Sequence, residues 1–161
     1  MNENLLRQAL QDSVNEVLEK MFFVETQGEC AEPCEDLPAD EIAAELTFEG
    51  EPPGALLLRL TWEAARQIAA DFLGIDEGEV SSVQTSEVVR ELANMICGSV
   101  LSRVESSTAF HLSEPRIIAS WEETAGSLSN TRYAVELSNG RLSLNVATDS
   151  PRCLEPAQSA S

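Results

Sequence analysis

The stretch SEVVRELANMICGSV, residues 86–100, decides how this chain folds. Its apolar side chains recur at helical spacing and cover most of the helix circumference, so we expect this helix to be packed on two or three sides. They are Val88, Val89, Leu92, Ala93, Met95, Ile96 and Val100. Start and stop signals place the helix from Ser82 or Ser86 to about Glu105. The sequence therefore predicts a long and largely buried helix.

A narrow polar stripe runs along the same helix. At about 100° per residue, six positions fall within an arc of roughly 80°. They are Glu87, Glu91, Asn94, Gly98, Ser102 and Glu105. Gly98 in this stripe lets a bulky group approach closely, because it carries no side chain. Only this line of side chains is expected to reach solvent or a partner.

Two further helices are predicted before the central one. Apolar residues at intervals of three and four predict a helix over residues 4–22. A second is predicted over residues 62–73, with Thr61 available as its N-cap and Gly74 closing it.

Strands are predicted where apolar and polar residues alternate. One covers residues 42–48, and ALLLRL at residues 55–60 supplies a more deeply buried neighbour. Pro115 opens a third strand with the sequence RIIAS. The last two strands form a hairpin, because the NG dipeptide at 139–140 favours a tight primed turn between alternating stretches.

The order helix, two strands, two helices and three strands indicates an α+β fold, with a largely antiparallel sheet and long helices packed on one side. Residues 27–40 mix Gly, Pro and acids, so a loop is expected there. A chain of 161 residues is long enough for one core and short for two. We therefore expect a single domain over residues 1–148 and a flexible tail over residues 149–161.

The acidic composition excludes some classes of partner. The 28 acidic residues outnumber the 10 basic ones, giving a net charge of -18. Such a surface repels nucleic-acid phosphates and anionic lipid head groups, whereas a basic or cation-bearing protein face would be attracted. The sequence also lacks a signal peptide and an uninterrupted apolar span, so we expect no membrane association and a cytoplasmic location.

The residues that usually bind metals are sparse. Cys30 and Cys34 have no matching second pair, and the only histidine is His111, which we expect to be a surface or packed residue. No metal site is predicted on this chain. The sequence also has no nucleophile flanked by a plausible base and no glycine-rich phosphate loop.

The stretch ELANMICG resembles the motif of the CheC and CheX family of chemotaxis phosphatases. The Glu-x-x-Asn core, an acid four residues before Glu91, a Gly four residues after Asn94, and Pro115 some twenty residues downstream match that motif. The leading acid is Glu87, where the family usually has Asp or Ser. The resemblance implies the α+β fold of this family over roughly residues 4–148. It also implies a phosphatase acting on the phospho-aspartate of a CheY-like response-regulator receiver domain.

The resemblance also implies roles for these residues. Asn94 would orient the hydrolytic water, and Glu91 would pair with the lysine of the receiver. Glu87, Gly98 and Ser102 share their stripe and would contact the partner. Phosphoryl transfer depends mainly on positioning and electrostatics, so the chain would need no cofactor of its own, and the Mg2+ would belong to the receiver. Similarity to CheX also suggests a homodimer.

The first helix carries an incomplete copy of the motif. Asp12, Glu16 and Glu19 repeat the spacing of Glu87, Glu91 and Asn94, at an offset of 75 residues (91 minus 16). Asn offers both a donor and an acceptor, whereas an ionised Glu only accepts and repels a phosphoryl anion. We therefore expect one working site, as in single-site CheX-like proteins.

Two other interpretations remain open at this point. The chain could be a non-catalytic CheX-like module that binds a receiver or another signalling protein. Alternatively, it could be a structural subunit of an oligomer whose polar stripe is simply hydrated.

Overall fold

The computed structural model describes residues 3–22, 24–29, 41–50, 53–104, 110–118, 129–138 and 140–148. Its helices are α1 (Glu3–Met21), α2 (Trp62–Leu73) and α3 (Ser82–Val104). Its strands are β1 (Thr26–Glu29), β2 (Glu41–Glu49), β3 (Gly54–Thr61), β4 (His111–Leu112), β5 (Arg116–Ile118), β6 (Ser129–Leu137) and β7 (Gly140–Thr148). The predicted α+β class is confirmed.

The described strands form one antiparallel sheet in the order β1-β6-β7-β3-β2-β4, and β5 also pairs with β2. β3 lies between β7 and β2, a position that agrees with the deeper burial predicted for it. The predicted hairpin is β6–β7, in which Leu137 lies opposite Gly140. A side chain at Gly140 would collide with Thr61, so this close approach requires glycine.

One apolar core joins the three helices to one face of the sheet. Alternate residues of β2, namely Ile42, Ala44, Leu46 and Phe48, are buried in it. The matching alternate residues of β3, β6 and β7 belong to the same core, together with apolar residues of α1, α2 and α3. Helices packed on one side of the sheet are therefore confirmed.

The edge of the sheet differs from the prediction. Residues 27–40 were expected to form a loop, but Gln27–Glu29 belong to β1, which pairs with β6. An edge strand of this kind is held mainly by backbone bonds, so its polar sequence carries no alternation signal. The register shifts between Thr26 and Gly28, where the backbone has a φ of 128°.

The start of α2 also differs in detail. Thr61 occupies the N-cap position with extended backbone, but its side chain makes no capping hydrogen bond. Its Oγ1 instead accepts a hydrogen bond from the Arg141 backbone N–H of β7, at 3.3 Å. The hydroxyl therefore joins two strands rather than capping the helix. Gly74 closes α2 as predicted, with a left-handed φ of 71°.

Several predictions concern residues outside the described ranges. These are the tail over residues 149–161, the pair Cys30 and Cys34, and Glu105 at the end of the polar stripe. The domain limits and the homodimer stay predictions. In the described part of the chain, no helix is long and apolar enough to cross a membrane.

Candidate functional site

The helix α3 begins with a reciprocal capping box. The Gln84 backbone N–H donates to Ser81 Oγ at 3.0 Å, and the Ser81 backbone N–H donates to Gln84 Oε1 at 2.9 Å. This exchange satisfies two donors that a helix start would otherwise leave unpaired. It places the first helical residue at Ser82, the earlier of the two predicted starts.

Most of the circumference of α3 is buried. The side chains of Val89, Leu92, Ala93 and Ile96 are 0% exposed. Burial also raises the pKa of the Cys97 thiol to about 12, so this group is neutral near pH 7 and a poor nucleophile. The polar stripe is therefore the face through which α3 meets its surroundings.

Part of the polar stripe lines a groove of about 380 Å³. Glu87, Arg90, Glu91 and Asn94 form its α3 side, and the segment Leu112–Pro115 forms the opposite side. Glu87 and Glu91 are exposed, whereas Asn94 is half-buried. The α3 side of the groove thus brings a neutral carboxamide and two accessible carboxylates together.

The other two predicted contact residues lie farther along α3. Gly98 is half-buried and Ser102 is exposed, and neither lines the groove. A Cβ built at Gly98 would meet nothing within 4 Å. This open space beside the groove leaves room for an approaching partner. The structure therefore places three of the five predicted site residues in the groove and two beyond its end.

The segment Leu112–Pro115 contains one extra residue relative to the strand beside it. Leu112 pairs with Phe48 and Arg116 pairs with Glu45, so four steps along one strand oppose three along β2 (116 minus 112 against 48 minus 45). This is the geometry of a β-bulge. It keeps both Leu112 and Ile117 packed against the core, although their odd separation would otherwise place them on opposite faces.

The bulge is attached to both of its neighbours. On the sheet side, the Ser113 backbone N–H donates to Thr47 O at 2.8 Å, and the Thr47 N–H donates to Ser113 Oγ at 2.9 Å. On the helix side, Arg90 Nε–H donates to Pro115 O at 2.9 Å. These bonds fix the wall that faces Asn94.

Sequence reasoning predicted the helical side of the groove but missed Arg90, Ser113 and Glu114. One signal was available for Arg90. It is one of two basic residues in α3, together with Arg103, and it precedes Asn94 by one helical turn. No comparable signal marked Ser113 or Glu114, because their positions depend on the bulge.

The incomplete motif on α1 differs from the motif on α3 because its glutamate makes contacts within the protein. Arg103 Nη2 donates to Glu16 Oε1 at 2.7 Å, and Lys20 Nζ approaches Glu16 Oε2 at 3.4 Å. These contacts, Arg103 first, hold the pKa of the Glu16 carboxyl below its ordinary value. Ser99 Oγ also donates to Ser13 Oγ at 2.9 Å, between the same two helices. The Glu16 carboxylate therefore serves the contact between α1 and α3.

Other residues considered for chemistry lie apart from the groove. His111 is exposed on β4 and does not line the groove. Among the described residues, no group of three or more His, Cys, Asp or Glu is arranged to hold a metal ion.

Comparison with solved structures shows a shared fold. CheX from Desulfovibrio desulfuricans is 14% identical, with a TM-score of 0.74 over 89% of this chain and 99% of that one. CheX from Vibrio vulnificus is 16% identical, with a TM-score of 0.72 over 92% and 99%. CheX from Borrelia burgdorferi, solved in complex with CheY, BeF3 and Mg2+, is 16% identical, with a TM-score of 0.69 over 89% and 97%.

Comparison of sequences gives the family. No curated protein matches this sequence. The family model for the chemotaxis phosphatase CheX matches residues 42–137, which is more than half of the 161-residue chain and includes α3 and the bulge. The chain therefore belongs to the CheX family of chemotaxis phosphatases.

Proposed function

We propose that this protein hydrolyses the phospho-aspartate of a CheY-like receiver domain. The proposal depends above all on one observation: the half-buried Asn94 and the exposed Glu91 share a groove on a helix whose circumference is mostly buried. Membership of the CheX family supports phosphatase activity. The complex of Borrelia CheX with CheY supports a receiver as the class of partner.

The chemistry assigned to Asn94 is the orientation of water. In the proposed reaction, a water oxygen attacks the phosphorus, the bond from phosphorus to the aspartyl oxygen breaks, and inorganic phosphate leaves. The Asn94 carbonyl accepts a hydrogen bond from the water, while its neutral amide approaches the phosphoryl group without charge repulsion. Fixing the water in line lowers the entropic part of the barrier.

The carboxylates and the open end of the stripe are assigned to binding. Glu91 pairs with the lysine of the receiver, and Glu87 contacts the partner beside it. Gly98 and Ser102 extend the contact along α3. The receiver supplies the Mg2+ that neutralises charge on the phosphoryl group. The residues of this chain therefore bind the receiver and orient the water.

The test follows phosphate loss from phosphorylated receiver domains of the source organism. Wild type should accelerate the loss, and Asn94→Ala should lower the rate roughly a hundredfold, equivalent to about 3 kcal/mol. Asn94→Asp should be equally impaired, because it keeps the size of the side chain but adds a repelling charge. Gln67→Ala is the control, since it removes a carboxamide from the surface of α2 and should act like wild type.

Each outcome points to a different interpretation. Binding without acceleration by wild type would support a non-catalytic receiver-binding module instead. Equal acceleration by Asn94→Ala would show that hydrolysis depends on another residue.

A further inference from the structure

We infer that Arg90 is a positioning residue of this site, which holds the bulge at a fixed distance from Asn94 and so builds the second binding surface for the receiver. The inference depends on the proposed partner. The bulge segment Leu112–Pro115 then contacts the receiver directly, as α3 does.

The hydrogen bond from Arg90 to Pro115 sets the orientation of the bulge. Pro115 has no backbone N–H, so its carbonyl is its only backbone hydrogen-bonding group. Arg90 Nε–H donates to this carbonyl at 2.9 Å across 25 residues of sequence. The guanidinium is planar and its Nε–H points in a fixed direction, so the bond restrains rotation as well as distance.

Without Arg90, the hydrogen bonds that hold the bulge would come from the sheet side alone. The bonds between Ser113 and Thr47 anchor its first half. Pro115 lies two residues farther along, and the pairing with the sheet resumes one residue later, at Arg116. Exposed Glu114 lies between the two anchors and lines the groove. Release of the Pro115 carbonyl would therefore let the groove wall shift relative to α3.

The expected loss is in binding rather than in the chemical step. Asn94 is placed by α3, whose core contacts through Leu92, Ala93 and Ile96 do not involve Arg90. The wall contacts the partner, so displacement of the wall weakens the complex first.

The test compares Arg90→Met, Arg90→Lys and Arg66→Met. The Met variant keeps the aliphatic stem and removes the donor, whereas Lys can still donate to the carbonyl. Arg66 is the matched control, because its Nη2 donates to a backbone carbonyl, Glu77 O at 3.2 Å, away from the groove. The measurements are kcat and KM for the phosphorylated receiver, and Kd for the receiver loaded with beryllofluoride and Mg2+.

Arg90→Met should raise both KM and Kd at least about tenfold and change kcat much less. Arg90→Lys should recover only part of this loss, because its ammonium can donate but lacks the fixed direction of the guanidinium. Arg66→Met should match wild type. A fall in thermal stability of Arg90→Met with KM and Kd unchanged would overturn the inference, because Arg90 would then be structural only. Arg90→Leu, which also has no hydrogen-bond donor in its side chain, provides the same comparison if the Met variant folds poorly.

The failure of this inference can be told from failure of the proposed function. If wild type binds the beryllofluoride-loaded receiver but does not accelerate phosphate loss, the proposed activity is wrong, and the Kd comparison still decides the role of Arg90. If wild type binds and Arg90→Met binds equally well, the inference alone is wrong. If wild type binds no receiver, both are overturned.

Discussion

Neutralising one carboxylate on each of the two long helices should have opposite consequences. Glu91→Gln on α3 should weaken receiver binding and leave stability almost unchanged. Glu16→Gln, at the corresponding position of α1, should lower stability and leave receiver binding unchanged. Both substitutions remove one negative charge and preserve side-chain size, so each is the control for the other.

The structure supplies the reason for this contrast. Glu91 is exposed in the groove, and no described residue forms a hydrogen bond or ion pair with it. Glu16 does not line the groove and accepts from Arg103 at 2.7 Å. Surface substitutions without such contacts usually change stability by less than about 0.5 kcal/mol. Glu91→Gln should therefore fall within that range.

The magnitude for Glu91 follows from a lysine placed about 4 Å away. Two unit charges at that distance attract by about 1 kcal/mol in bulk water and by about 4 kcal/mol at the effective dielectric near a protein surface. A groove partly closed by a receiver lies between these limits, so we expect about 2 kcal/mol. That energy corresponds to a decrease of about 30-fold in kcat/KM.

The assay combines receiver dephosphorylation at several salt concentrations with urea unfolding of each variant. The defect of Glu91→Gln should shrink as salt rises, because added ions also weaken the charge pair in wild type. A normal kcat/KM for Glu91→Gln would refute the pairing of Glu91 with a receiver lysine. A binding defect in Glu16→Gln as large as that of Glu91→Gln would refute the structural role assigned to Glu16.

Two further predictions concern α1 and its contact with α3. Glu19→Asn recreates a Glu-x-x-Asn sequence on α1. In an Asn94→Ala background this change should restore no phosphatase activity, because Glu16 is held by Arg103. Recovered phosphate release would contradict this prediction. Arg103→Gln should lower the thermal midpoint most near pH 7. The folded pKa of Glu16 lies below its ordinary value of 4.5, so the stabilisation is present above that pH and is lost as the pH falls through the lowered pKa. Thermal melts of wild type and Arg103→Gln from neutral to acidic pH check this. A difference in thermal midpoint that stays constant down to the lowest pH would contradict it.

Features set by local sequence were predicted well. The helix expected over residues 62–73 spans Trp62–Leu73, and Gly74 ends it in a left-handed conformation. Helical periodicity separated the buried face of α3 from its polar stripe, since the spacing of side chains around a helix is fixed. The same geometry put Glu87, Glu91 and Asn94 on one line, and the structure places all three in one groove.

Features set by distant backbone partners were not predicted. β1 depends on the free edge of β6, and the Thr61 hydroxyl is engaged by a backbone N–H that lies 80 residues away in sequence. The groove wall depends on the pairing of β2 with residues 111–118. No local pattern reports such register. Pro115 was therefore recognised as the start of a strand and as part of a motif, but not as part of the groove wall, and Arg90 was overlooked.

The bulge also has a consequence for the solubility of the folded protein. In the described sheet, β4 and β5 lie at the outer edge, where a continuous strand would offer unpaired backbone groups to another chain. The extra residue interrupts that row, and Pro115 contributes no donor to it. Within residues 110–118, another copy of the chain therefore finds no long uninterrupted template for strand addition. The residues that shape the groove therefore also interrupt this described stretch of edge, a feature that protects edge strands against aggregation.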